Sequence, residues 1–484
     1  MLPDSIDTKF GFALAPLQLD AARRHTAYLG SKHAGSSRED LEYLRPVYLG
    51  GGYSPQAWDR TLHLVPAATP RSSYSQPLAG GEPGQELPAG TYERLAHEPK
   101  SAEQMPFFQD RVPPRPGPFR IGDASASSTS TTSLPTLVWE RLVPHNRSKR
   151  HDAKVIVGAH GLGFCKETFV PLLDRLVEAQ QDDHGIAEVW LVDALGHGMT
   201  AIYNASTIRA VDPQQLLSSQ HRIVDSNDYA RDLLQFYTCY LPAALDTASR
   251  GGSIPLILPF SAPKLPARQL VGIGHSFGAT SLLQLCVHLP DVFESLCVVE
   301  PILVREPLVE KATRVPLARF TLMKPDEWPS RAAASDSFDK DRMLSAWDAR
   351  VRSAFVAGAL FPIDATSPTR GHRTDQGSVQ RCCDRVAEAL CIRGNRPGIQ
   401  LATHTLGYVP PAVKVLYISC AKPLLLPLEE VQTTAKRNIP NLVFETLNGS
   451  HSLPLESPDA IADSIRSTLL SQPSSGSAAF VSKL

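Results

Sequence analysis

The stretch VGIGHSFGAT, residues 271–280, runs three apolar or glycine residues straight into Gly274-His275-Ser276-Phe277-Gly278. The spacing Gly-x-Ser-x-Gly predicts a serine held at a tight turn between a buried strand and a helix, in strained backbone geometry. Glycines two positions to either side let neighbouring backbone approach closely, and the turn pushes the hydroxyl into a cleft at the positive end of the helix. Five residues are a weak signal by themselves. Their context strengthens it: RQLVGIGHS (268–276) reads as a strand, and GATSLLQLCVHLPD (278–291) reads as a helix stopped by Pro290. The alternative is a glycine-rich turn with an idle serine.

Outward from this point the chain alternates. Upstream, TLVWERLV (136–143) alternates like a strand, and KVIVGAHG (154–161) is a β-branched run ending in glycine, as expected of a strand covered on both faces. A helical pattern (169–180), a second buried strand VWLVDALGHG (189–198) and a helix (228–241) follow. Downstream come the strand SLCVVEP (295–301), then VKVLYISC (413–420), a helix (427–438), the strand LVFETLNG (442–449) and a last helix (458–470). This rhythm predicts an α/β fold with a mostly parallel sheet and helices on both faces, where ligands sit at the carboxyl ends of the strands. Residues 301–410 interrupt the rhythm with helical pieces and irregular joins. They leave after the strand ending at Glu300 and return before the next, as a lid or cap over that edge of the sheet does.

The chain has 484 residues, 42% of them apolar, with a net charge of −1, so a large core is available and nothing points to nucleic acid or an anionic surface. The basic run NRSKRHDAK (146–154) reads as a solvated loop. Eight cysteines show no paired or zinc-like spacing and read as free thiols of a reducing compartment. No apolar run is long enough to span a bilayer, and MLPDSIDTKF lacks a signal-peptide core. Residues 1–130, rich in Pro, Gly, Ser and Thr, read as loop or partly disordered chain with short apolar patches. The terminal tripeptide Ser482-Lys483-Leu484, on a small polar tail, reads as an address for the peroxisomal import receptor.

A serine hydroxyl attacks only when a base takes its proton. The base is expected after the final strand, where His451 follows LVFETLNG within LNGSHSLPLESP. The imidazole in turn needs a carboxylate. The loop after VKVLYISC holds no acid near the strand end, and Glu429 lies several residues on, inside the next helix. Glu300, ending the strand SLCVVE beside that of Ser276, is the better placed, with Glu429 the alternative. Backbone N–H donors for an oxyanion are expected from Phe277 and, in the turn HGLGF, from Leu162, with Gly163 second. Cys165 and Lys166 are expected at the mouth of the cleft, and Asp193 as a support for the loop after its strand. His160, His197, His275 and His451 gather at one edge without clustered carboxylates, so no metal and no cofactor is expected.

With those residues in view, the chain resembles the α/β-hydrolase superfamily. More closely it resembles fungal peroxisomal α/β-hydrolases, a group that includes a yeast peroxisomal lipase and hydrolases of Alternaria toxin pathways. The stretches that carry the resemblance are HGLGFCKETF, VWLVDALGHGMTAIYN, GIGHSFGATSLL, CVVEPIL, EWPSR, AWDARV and GSHSLPLESP, together with the terminal SKL. It implies an α/β-hydrolase core over 131–300 and 411–470, a cap over 301–410 and a flexible tail over 471–484. It implies Ser276 as nucleophile, His451 as base and an acid after a late strand; Glu300 is similar to the acid of members that carry it one strand early. The implied activity is hydrolysis of an ester or thioester of a small-molecule acyl substrate, as in a lipase, esterase or thioesterase, in the peroxisomal matrix. Acyl transfer within a secondary-metabolite pathway and an inactive binding protein on the same fold are the alternatives. The N-terminal region and the segment near LPFSAPKLP (258–266) have no counterpart, and Met199 stands where relatives often show a small polar pair.

Overall fold

Strands that read as continuous apolar runs are covered on both sides. Along the strand Phe293–Val299, Leu296 and Val298 join one hydrophobic cluster with Phe236 and Phe277, while Cys297 and Val299 join another with Leu172 and Ile461. Side chains of a strand alternate faces, so two covered faces demand apolar residues at every position. The structure, a computed structural model, describes residues 17, 19–49, 55–68, 135–178, 183–209, 225–266, 270–304, 315–362, 377–423 and 426–471. The tripeptide Ser482-Lys483-Leu484 and much of 1–130 lie outside the described residues.

In chain order the strands are β1 (Trp58–Pro66), β2 (Thr136–Pro144), β3 (Lys154–Ala159), β4 (Ile186–Val192), β5 (Leu270–His275), β6 (Phe293–Val299), β7 (Glu327–Trp328), β8 (Leu360–Pro362), β9 (Val379–Arg381), β10 (Lys414–Cys420) and β11 (Leu442–Leu447). Eight form one sheet in the order β1-β2-β4-β3-β5-β6-β10-β11. From β4 to β11 all neighbours are parallel; β2 runs antiparallel to both β1 and β4. Parallel neighbours need crossover connections, and the helices that supply them cover the faces. Helices Ser226–Cys239, Phe277–His288 and Arg396–Thr405 pack together on one side, and Val170–Val177 and Pro458–Ile465 on the other. Between β6 and β10 the chain forms five α-helices and two short 3-10 helices among the described residues, plus a small antiparallel sheet in the order β7-β9-β8.

The sequence assigned no strand before Thr136, yet β1 pairs with β2 along its whole length, from Trp58 opposite Pro144 to Pro66 opposite Thr136. Its polar residues are held by tertiary partners that sequence does not display. Arg60 forms a two-pronged bond to Glu140, at 2.7 and 2.8 Å, and buried His63 bonds the Pro255 carbonyl at 2.8 Å. The helix Leu19–Lys32 packs on β1, and His25 bonds Thr136 Oγ1 at 3.0 Å. The segment preceding LPFSAPKLP also has a place: the Leu64 N–H donates to the Leu256 carbonyl at 2.8 Å, covering the outer edge of β1. Met199 is fully buried among Leu29, Leu44, Leu62, Leu64 and Val138, so its side chain packs against the N-terminal elements. All eight cysteines are free thiols. Among the described residues no helix is long and apolar enough to cross a membrane.

Candidate active site

β5 ends at His275, and the helix Phe277–His288 begins two residues later, leaving Ser276 alone at the corner. Its φ of 51° and ψ of −113° are unusual for a residue with a side chain. The Ser276 N–H donates to the Val299 carbonyl of β6 at 2.9 Å, which fixes the corner against the neighbouring strand. Gly278 has to be glycine: a Cβ there lies 2.0 Å from the Ala159 carbonyl oxygen at the end of β3. At Gly274 a Cβ lies 2.6 Å from the Ala279 α-carbon. The motif thus records two close backbone approaches that bring three strand ends and one helix together.

His451 and Glu300 meet this serine. Ser276 Oγ lies 2.8 Å from His451 Nε2, and His451 Nδ1 lies 3.2 Å from Glu300 Oε2. The second Glu300 oxygen accepts from the Ser419 hydroxyl and the Cys420 N–H, both at 2.8 Å. Burial pushes the Glu300 carboxyl up, but the hydrogen bond and charge of His451, with the Cys420 and Ser419 donors, outweigh it and hold the pKa below the usual carboxylate range. The end of β10 therefore contributes donors to an acid that β6 carries. Glu429 is exposed in the first turn of the helix Leu428–Asn438, away from this contact.

The loop of His451 is pinned from below. His275 Nε2 lies 2.8 Å from the His451 carbonyl oxygen, which only accepts, so Nε2 carries the proton. Burial, followed by the neighbouring His451, lowers the pKa of His275 to about 3, and the ring stacks on Phe164 at 5.7 Å. Ser450 N–H donates to Glu456 Oε2 at 2.8 Å on the other side of the loop. Neither contact is legible from spacing, since both follow from where β5 and β11 end.

Leu162 and Phe277 stand where the sequence places the oxyanion donors, in the turn after β3 and directly after Ser276. Among the described residues neither N–H has a hydrogen-bond partner within the protein. The second choice in that turn, Gly163, is occupied: its N–H donates to His197 Nε2 at 3.1 Å. His197 Nδ1 bonds the Leu195 carbonyl at 3.1 Å, and His160 bridges the Gly161 carbonyl and the Ala194 N–H at 2.8 and 2.9 Å. Burial lowers the pKa of His160 to about 4 and of His197 to about 3, so both rings are neutral braces between loops. Among the described residues no group of three or more His, Cys, Asp or Glu is placed to hold a metal ion.

Cys165 and Lys166 do not line the cleft mouth. Cys165 is fully buried, and so is Lys166, whose ammonium lies 3.3 Å from Glu140 and 3.5 Å from Asp193 and also contacts Glu167. Burial opposes that charge, yet Asp193, Glu167 and Glu140 raise the lysine pKa. A buried ammonium needs paired charges, and these carboxylates meet it only in the folded chain, so the pattern Cys-Lys-Glu could not reveal the burial. Asp193 accepts from the Met199 N–H at 2.9 Å, supporting the loop after its own strand as expected, and from the Lys166 N–H at 2.8 Å, holding the segment after β3 as well.

Ser276 and His451 open into a cavity of about 450 Å³ between the strand ends and the segment 301–410. Phe164, Phe338, Leu344, Trp347 and Phe355 make part of its wall apolar. The ion pair of Arg381 and Glu388, 2.7 Å apart and nearly buried, lies in the same wall. Sequence reasoning singled out neither residue, because their partner is Gly163, more than two hundred positions upstream.

A model of the alpha/beta hydrolase family matches residues 156–464. The type I acyl-CoA thioesterase mpaH' of Penicillium brevicompactum is 29% identical over 185 residues, 38% of this chain and 35% of the relative. The peroxisomal membrane protein LPX1 of Saccharomyces cerevisiae is 27% identical over 186 residues, 38% of this chain and 40% of the relative. The matched stretch thus spans less than half the length of either relative. Among solved structures, the peroxisomal alpha-beta-hydrolase Lpx1 from Saccharomyces cerevisiae has a TM-score of 0.55 at 16% identity, over 85% of this chain and 88% of that one. At that identity the likeness is one of fold.

Proposed function

The chain belongs to the alpha/beta hydrolase family, and from that premise we propose that it is a serine hydrolase cleaving an ester or thioester with an apolar acyl group. The observation that carries this reading is the unbroken line of contacts from Ser276 Oγ through His451 to Glu300, opening on a cavity with an aromatic wall. The relative named as an acyl-CoA thioesterase supports the thioester side, and the yeast relative named as peroxisomal supports the peroxisome as compartment.

In this reading the acyl group lies against the aromatic wall, with residues 301–410 as the cap that excludes water. Ser276 Oγ attacks the carbonyl carbon as its proton passes to His451 Nε2, and Glu300 steadies the imidazolium through Nδ1–H. The carbonyl oxygen, now negative, is met by the Leu162 and Phe277 N–H groups. Collapse of the tetrahedral intermediate breaks the bond to the alcohol or thiol, which leaves with the proton from Nε2. Water then repeats the sequence on the acyl-serine, giving the carboxylic acid and restoring the hydroxyl.

The test compares wild type and Ser276→Ala on p-nitrophenyl esters and acyl-CoA thioesters, with fluorophosphonate labelling of the folded proteins. Turnover is expected to fall by at least about 1,000-fold and labelling to vanish in the variant. Turnover retained by Ser276→Ala refutes the reading, as does a folded wild type that neither turns over nor labels.

A further inference from the structure

Gly163, one residue past the proposed oxyanion donor Leu162, is gripped from two sides. Its N–H donates to His197 of the core at 3.1 Å, and its carbonyl accepts from Arg381 Nη2 at 3.2 Å. The same Nη2 donates to Glu388 Oε2 at 2.7 Å, so one guanidinium nitrogen directs its two hydrogens to the pair. Glu388 in turn rests on the glycine: a Cβ on Gly163 meets the Glu388 carboxyl carbon at 2.8 Å. Gly163 has a φ of 79°, which glycine adopts without strain. The Phe164 N–H closes the turn onto the Gly161 carbonyl at 3.2 Å, and at the permissive Gly163 the backbone is held by two further contacts, one from each side of the cleft.

We propose that Arg381 is a positioning residue for the oxyanion turn. Carried by β9 from the segment inserted between β6 and β10, its guanidinium holds the Gly163 carbonyl so that the Leu162 N–H stays aimed at the oxygen of the tetrahedral intermediate. The proposal rests on the serine-hydrolase reading above and adds a dependence: full oxyanion stabilisation requires the inserted segment to be seated on the core. Donors matter in the transition state only at hydrogen-bond distance from the developing charge, so a loosened turn lowers the rate more than it weakens substrate binding.

The experiment measures kcat, KM, thermal melting and the affinity of an alkyl boronic acid, whose tetrahedral adduct places an oxygen where the oxyanion forms. Wild type, Arg381→Met, Arg381→Lys and Ser276→Ala are compared on one acyl thioester. Arg381→Met is expected to lower kcat and boronate affinity in parallel, by about 10- to 100-fold, with KM changed by less than about threefold. An unchanged kcat, or a raised KM at constant kcat, overturns the role. So does recovery of kcat when Glu388→Gln is added to Arg381→Met, since that would make charge neutralisation the whole effect. Should Arg381→Met fail to fold, Arg381→Lys decides. It keeps a cation for Glu388 on a shorter side chain that falls short of the Nη2 position, so native melting with reduced kcat is expected, and full kcat overturns the proposal. Activity in Ser276→Ala refutes the serine reading itself; an inactive Ser276→Ala beside a full-rate Arg381→Met refutes only the role of Arg381.

Discussion

Ser276 and Glu300 share a positive φ, 51° and 50°, that no other described non-glycine residue adopts. Each stands one residue past its strand, and those strands are paired with His275 opposite Val299. Each still donates its N–H to the next strand, Ser276 to Val299 at 2.9 Å and Glu300 to Ile418 at 3.0 Å, before the chain turns away. A residue with a side chain held at positive φ costs of order 1–3 kcal/mol, and such strain gathers where a side chain has to be aimed. Here it occurs twice, at adjoining strand ends, in the two residues that flank one imidazole.

Glu300→Gln keeps the size of the side chain and removes its charge. The imidazolium then loses its counter-charge and His451 its preferred tautomer, so kcat is expected to fall by about 1,000- to 10,000-fold. Glu429→Gln, a change on an exposed helix turn, is expected to leave kcat as it is. Steady-state turnover of the two variants decides between the carboxylates, and a loss confined to Glu429→Gln would transfer the acid role there.

His275→Phe retains a flat ring against Phe164 and removes the donor to the His451 carbonyl. Loss of this hydrogen bond at a partly buried carbonyl costs about 0.5–1.5 kcal/mol, so the melting temperature falls. kcat falls with it, because the loop that aims Nε2 at Ser276 loses its lower anchor. His275→Gln, which restores an N–H donor, is expected to recover part of both. Equal kcat in all three proteins would show that the loop is held without this bond.

Strands β3, β4, β5, β6 and β10 were legible because burial on both faces leaves a compositional trace: runs such as Lys154–Ala159 and Phe293–Val299 admit few polar residues. The corner at Ser276 was legible because Gly274 and Gly278 record close approaches of backbone. Glu300 stood out because an acid at the end of an apolar strand needs a partner. What escaped the sequence depends on residues that meet only after folding. β1 was hidden because Arg60 and His63 look like loop residues until Glu140 and the Pro255 carbonyl are opposite them. Lys166 was misread as lining the cleft mouth because the carboxylates that bury it come from β2, from the residue after β4 and from its own neighbour. Arg381 gave no signal, since its acceptor is a backbone carbonyl that carries no sequence identity.

Acid should weaken the fold through buried histidines. Burial lowers the pKa of His25 and His160 to about 4 and of His197 and His275 to about 3. In the unfolded chain each titrates near its ordinary value of about 6.5. Between those limits the unfolded state binds the proton and the folded state does not, so stability is fully present above about pH 6.5 and is lost as pH falls toward the folded values. Each histidine contributes a slope of up to about 1.4 kcal/mol per pH unit in that window. Urea unfolding at about pH 7, 6 and 5 is expected to show the decline, with a shallower slope in His25→Gln, which lies far from Ser276. A slope that His25→Gln leaves untouched would mean that His25 is already protonated in the folded protein.

Leu64 tests whether the N-terminal strand belongs to the cooperative core. It is fully buried in a cluster with Leu29, Leu44, Val138 and Met199, and its backbone joins β1 to Leu256. Leu64→Ala leaves a cavity between elements drawn from three distant parts of the chain, at a cost of about 2–5 kcal/mol. The expected result is a single unfolding transition shifted to lower temperature, with kcat at low temperature unchanged because the cluster lies away from Ser276. The link to the site is Met199, whose N–H is held by Asp193, the same carboxylate that holds Lys166 just past the turn of Leu162 and Gly163. If the cluster were an independent layer, the variant would instead lose a small early transition while the main one stayed in place, and β1 would be an appendage to the sheet.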